Sequence, residues 1–246
     1  MTFAGGEIKA CCAAAYSSAT ARFLLGDSFH PGGAALTSRL AWALHVGPGD
    51  LVVDVACGPG SSAYQLVRET GCEVIGVDLA PPAEADDPRV SFLRGDAEAL
   101  PLADASVDGV LCECAFCTFP DKATAARELA RVLRPGARLA LSDLIWQPDG
   151  LPESLASLEA WVGCVADARP LDEIGGLLQE AGLVVDLTEA HDDALAALLD
   201  RIEARLEVVA MFAADGVAVG RELLHEVRAA LDRGLLGYGV VIAHRL

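Results

Sequence analysis

From residue 51 onward the chain alternates short apolar runs with segments of helical period. Few folds accept that alternation. LVVDVA (51–56) ends in a glycine turn, and SSAYQLVRET (61–70) follows as a helix. CEVIGVDL (72–79), RVSFLRGD (89–96), VDGVLCEC (107–114), ARLALSDL (137–144), VVDLTEA (184–190) and GYGVVIAHRL (237–246) read as further strands. DKATAARELARVL (121–133), stopped by Arg-Pro-Gly, and LDEIGGLLQEAGL (171–183) read as helices. Such an order predicts an α/β fold: a mainly parallel sheet with helices on both faces. The link APPAEADDP (80–88) is too short and proline-rich for a full helix.

Three stretches organise the chain. Residues 1–48 read as a helical segment broken by GDSFHPGG (26–33). Residues 49–190 form the alternating unit. Residues 191–246 hold a long helical stretch and the final strand of the same domain, and the helices are expected to cover the substrate and exclude water. A chain of 246 residues suffices for one large domain or two small ones. No apolar run approaches the roughly 18–20 residues of a membrane span. The start, MTFAGGEIKACCAAAYSS, has no leader-like pattern, so a cytoplasmic location is expected. The net charge of −18 opposes nucleic acid and anionic membranes as partners but not a cationic small molecule.

The glycine turn narrows the ligand. DVACGPG puts Asp54 in the strand and Gly58 and Gly60 in the turn into a helix, where main-chain N–H groups face a ligand. Asp78 ends the second strand, placed for ribose hydroxyls, and Asp96 ends the third. A dinucleotide reading would use Gly58, Gly60, Ala63 and Asp78. Asp54 is badly placed for that, because a carboxylate there would face a pyrophosphate. It suits a cationic amino-acid group. Asp96 can accept from an adenine amino group while the Ala97 N–H meets the ring. Adenine, ribose and a cationic methionine occur together in S-adenosylmethionine.

With those pieces the sequence resembles class I S-adenosylmethionine-dependent methyltransferases. DVACGPG, GVDLA, GDAEALPLADASVDGVL and RELARVLRPGARLALSD carry the resemblance, over residues 51–144. It implies a Rossmann-like sheet of seven strands with the last antiparallel. It also implies cofactor binding by Asp54, Gly58, Gly60, Asp78, Leu79, Asp96, Ala97 and the region of Cys112. CECAFCTFPDK and WVGCVADARPLDEIGGLLQEAGL are more narrowly similar to segments of arsenite methyltransferases, and Cys11–Cys12 resembles an N-terminal pair in many of them. That resemblance implies a trivalent metalloid held at Cys164 and Cys117, with Cys12, Cys11 and Cys114 as further catalytic candidates. It implies a thiol reductant, such as glutathione or thioredoxin, as partner. The chain departs from the pattern in having no cysteine after Cys164, and in carrying Cys117 and Cys112 where the family has Asn and Ser.

The eight cysteines have other readings. Cys57 and Cys72 read as packing residues, since a thiol is a small apolar group. Cys112 and Cys114, two apart, are expected on one face of a strand, with Cys117 beyond its end. No resident metal is expected, because C-x-C-x-x-C lacks the second pair of a structural zinc site. A soft, thiophilic substrate suits the set. Two rivals stand beside it. One is a methyltransferase for an organic O, N, C or S acceptor, with structural cysteines. The other is a non-catalytic metalloid binder. His30, in FHPGG, reads as a hydrogen-bonded structural group or, for a hydroxyl or thiol substrate, as a base.

Overall fold

A computed structural model describes residues 4–26, 28–146, 155, 165–210 and 218–246. In chain order the elements are α1 (Gly5–Tyr16), α2 (Ala19–Leu25), α3 (Gly33–Ala43), β1 (Leu51–Val55), α4 (Ser61–Thr70), β2 (Glu73–Asp78), β3 (Val90–Arg94) and β4 (Val107–Glu113). After these come α5 (Lys122–Val132), β5 (Leu133–Trp146), α6 (Leu171–Glu180), β6 (Leu183–Ala190), α7 (Asp192–Ala210), α8 (Ala218–Asp232) and β7 (Leu236–Arg245). The seven strands lie in the order β3-β2-β1-β4-β5-β7-β6. β7 runs antiparallel to both β5 and β6, and the remaining pairs are parallel. The expected α/β class and antiparallel last strand are both present.

The local chemistry explains where elements start and stop. α4 is bracketed by glycines in the left-handed region, Gly60 before it and Gly71 after, the latter donating its N–H to Val67 O. Asp121 caps α5, its side chain accepting from the Thr124 N–H. α5 passes into β5 without a gap, so Arg-Pro-Gly lies within the extended segment rather than between two elements. β2 joins β3 without a helix, as the prolines of 80–88 dictate.

Two apolar layers flank the sheet. One packs Leu36 and Leu40 of α3, Leu66 of α4, Leu195 and Leu199 of α7 and Val227 of α8 against Val52, Val74 and Leu111. The other packs Leu129 of α5 and Ile174 and Leu178 of α6 against Val53, Val110, Cys112 and Leu141. Each fully buried Leu or Ile contributes about 1.5–3 kcal/mol. The carboxyl ends of β1, β2, β3 and β4 share one edge, the usual crevice of such sheets. No described helix is long and apolar enough to cross a membrane.

Candidate active site

The glycine turn is fixed to the end of β2. The N–H groups of Ala56 and Cys57 both donate to Val77 O, at 2.7 and 3.2 Å. The Gly58 N–H donates to Asp78 Oδ2 at 3.0 Å, and the other Asp78 oxygen accepts from the Ala80 N–H. Gly58 has φ +51°, and a Cβ built on it would meet nothing within 4 Å. The turn therefore leaves open space beside its backbone. Gly60 differs: at φ +83° its Cβ would stand 2.5 Å from Phe92 Cζ. There glycine is required by packing, since the Phe92 ring lies against the turn and meets Tyr64 edge-on.

Asp54 is 2% exposed, and its Oδ2 has no hydrogen-bond partner. Burial, then the negative charges of Glu113 and Asp78, hold its carboxyl well above the usual range, with the Ala63 N–H acting in the other direction. Burial, then the charges of Asp54 and Asp78, also push up the Cys57 thiol, which stays neutral. Asp96, at the end of β3, accepts from the Glu98 N–H through one oxygen and from Lys9 Nζ through the other, at 3.0 and 2.7 Å. Lys9 also pairs with Glu98, so α1 is strapped to the β3 end.

Glu113, the last residue of β4, is a hub of the site and lies outside the residues predicted for it. Its carboxylate accepts from Ser62 Oγ at 2.6 Å and lies 3.1–3.2 Å from Thr37 Oγ1. His30 Nε2 stands 3.5 Å from it. The same nitrogen lies 2.9 Å from Ser28 Oγ, and His30 Nδ1 faces Pro31 O at 3.0 Å. A carbonyl only accepts, so Nδ1 carries the hydrogen and Nε2 is the working nitrogen. The signal in the sequence was position alone, a carboxylate ending a strand at the ligand edge.

These groups surround one open cleft of about 1040 Å³, solvent at its mouth included. Asp54, Gly58, Asp78, Leu79, Asp96 and Ala97 line it, with His30, Ser28, Ser62 and Glu113. Tyr16, Phe29 and Phe119 add aromatic walls. An orphaned buried carboxylate oxygen, open space beside Gly58 and acids at successive strand ends fit a cationic nucleoside.

The chain matches the methyltransferase domain family over residues 53–141. It is 30% identical over 232 residues to an O-methyltransferase, cnsE, of Penicillium expansum, covering 87% of this chain and 79% of that one. It is 35% identical over 147 residues to an arsenite methyltransferase of Halobacterium salinarum, covering 55% of this chain and 37% of that one. The chain belongs to the class I S-adenosylmethionine-dependent methyltransferases. The fold of a geranyl diphosphate methyltransferase solved with sinefungin is similar, with a TM-score of 0.79 at 19% identity over 97% of this chain and 100% of that one. The chain spans between 37% and 63% of the length of the first curated relatives it matches.

In this methyltransferase the thiols do not converge as a set. Cys12 and Cys114 line the cleft. Cys11 is half-buried on α1 and does not line it. Cys112 is fully buried in the α5 and α6 layer, so it offers the cleft no side chain. Cys117 is 3% exposed, within the opposite apolar layer, and its N–H donates to Asp143 Oδ2 at 2.7 Å. Cys164 lies outside the described residues. The expectation that Cys112 and Cys114 share a face is overturned. β4 ends at Glu113, Cys114 takes φ +51°, and its side chain packs on the other layer. The period of two ends where the strand ends. The described residues of α7 and α8 are not among those lining the cleft. Arg205 of α7 donates to Leu24 O of α2.

Proposed function

We propose that the chain transfers the methyl group of S-adenosylmethionine to a hydroxyl of a small organic acceptor. The observation that carries this reading is the lining of the cleft. Tyr16, Phe29 and Phe119 line it together with the His30–Glu113 pair, while Cys117 and Cys112 are enclosed elsewhere. Relatives covered to 79–81% of their own length are O-methyltransferases, which supports the same class.

When bound, the cofactor supplies an activated methyl group on a positively charged sulfur. The Gly58 turn gives its backbone room, Asp54 answers the amino-acid portion, Asp78 and Leu79 take the ribose, and Asp96 and Ala97 the adenine. His30 takes the acceptor proton at Nε2, its Nδ1–H being held by Pro31 O. Glu113 stabilises the imidazolium so formed. The aromatic walls exclude water from the acceptor.

A second reading keeps the metalloid. Cys12 and Cys114 line one cleft, and one relative methylates arsenite by name. In that case Cys164 completes the thiol set, and a thiol reductant such as glutathione or thioredoxin regenerates it.

Release of S-adenosylhomocysteine separates the two readings. The protein is run with a panel of phenolic and aliphatic hydroxyl acceptors, and separately with arsenite or methylarsenite plus excess thiol. Hydroxyl-dependent release, lost in His30→Ala and kept in Cys164→Ser, supports the organic acceptor. Metalloid-dependent release that disappears in Cys164→Ser overturns it in favour of the second reading.

A further inference from the structure

The floor of the cleft contains a buried carboxyl group without a counterion. Asp54 is almost fully buried, lines the cleft, and has one carboxylate oxygen with no hydrogen-bond partner. The groups around it come from every neighbouring element. β4 presents Glu113 and the Cys112 thiol, β2 presents Asp78, the glycine turn presents the Cys57 thiol, and α4 presents the Ala63 N–H. The basic groups lining the cleft face other partners: Lys9 pairs with Asp96 and Glu98, and His30 lies against Glu113, Ser28 and Pro31. Among the described residues, none of the ion pairs includes Asp54.

A buried carboxylate with an unanswered oxygen and two carboxylate neighbours is costly as an anion. It is inexpensive as a neutral acid, and becomes a good anion once a cation arrives beside it. We propose that binding of the methyl donor exchanges a proton for a charged group at Asp54: the ammonium of the donor's amino-acid portion takes the place of the carboxyl proton, which leaves to solvent. Charge balances, since one positive charge enters as one leaves. The inference rests on the cofactor placement given above and deepens it. It makes Asp54 the residue that distinguishes ligands carrying the amino-acid portion from nucleosides lacking it.

The elevated carboxyl of Asp54 sets the direction. Donor affinity rises as pH rises, by about tenfold per pH unit wherever Asp54 holds its proton in the free protein.

Calorimetric titration tests this on the intact protein, in phosphate and in Tris, whose ionisation enthalpies differ. The two ligands are S-adenosylmethionine and methylthioadenosine, which keeps adenine, ribose and sulfur but has no ammonium. The expected result is close to one proton released with the first and close to none with the second. Asp54→Asn is expected to bind S-adenosylmethionine with no release. Should that variant not fold, the two ligands on the native protein still decide. Binding of S-adenosylmethionine without proton release overturns the proposal, as does equal release with both ligands. Release that persists in Asp54→Asn assigns the proton elsewhere and overturns it too. Binding of neither ligand removes the cofactor placement itself, and the two failures are thereby distinct.

Discussion

At the scale of single residues, two glycines of one turn have different reasons to be glycine. Gly58→Ala adds a methyl group into open space at a φ that L residues adopt at a cost of about 1 kcal/mol. Stability is expected to fall by that amount, while S-adenosylmethionine binding weakens about tenfold or more, because the methyl group stands where ligand belongs. Gly60→Ala meets the Phe92 ring and is expected to cost about 2–3 kcal/mol of stability in urea titration. Asp54 adds a pH effect. The folded chain keeps a proton there that the unfolded chain has lost, so its contribution to stability falls as pH rises above the ordinary carboxylate range. Asp54→Asn is therefore expected to raise the melting temperature of the free protein at pH 8 more than at pH 5. The turn and its acids were legible in the sequence because each sits at a strand end. The hub at Glu113 was not, because its partners Thr37, Ser62 and His30 come from three separate segments.

Individual elements depend on a few buried polar anchors. Lys122, 6% exposed, opens α5 and donates to the carbonyls of Cys117 and Phe119, at 2.9 and 3.0 Å, and to Asp167. It fixes the 3₁₀ turn Phe116–Thr118, next to the cleft wall at Thr118 and Phe119. Lys122→Met leaves Asp167 with Arg169, partly exposed, as its remaining ion-pair partner among the described residues. The expected loss is about 3 kcal/mol by urea denaturation. Where the variant stays folded, the KM for the acceptor rises and the Kd for S-adenosylmethionine does not. Strands and helices were readable from periodicity, since each buries one continuous face. The 3₁₀ turn was not, and neither was the reversal at Cys114, which adopts a left-handed backbone without the glycine that announces one.

On the whole-molecule scale, α1 reaches from the N-terminal segment across the mouth of the site. Lys9, Cys12 and Tyr16 line the cleft, and Lys9 ties the helix to Asp96 and Glu98. That pairing is partly exposed and worth about 1 kcal/mol. Lys9→Met is expected to speed S-adenosylmethionine dissociation several-fold in stopped-flow traces at low salt, and the difference shrinks at high salt as screening dissolves the native pair. Helicity of the N-terminal segment was readable, but its position along the cleft was not, since the contacts that set it include one lysine meeting two acids nearly ninety positions away. The order of the strands has its own consequence. β6 ends at Ala190, yet its sole neighbour in the sheet is β7, which begins at Leu236. During synthesis β6 therefore emerges from the ribosome well before its partner exists. Its ladder stays open for all the time taken to make α7 and α8, and a nascent chain stalled in that interval presents a bare strand edge to whatever chaperone or neighbouring chain meets it first.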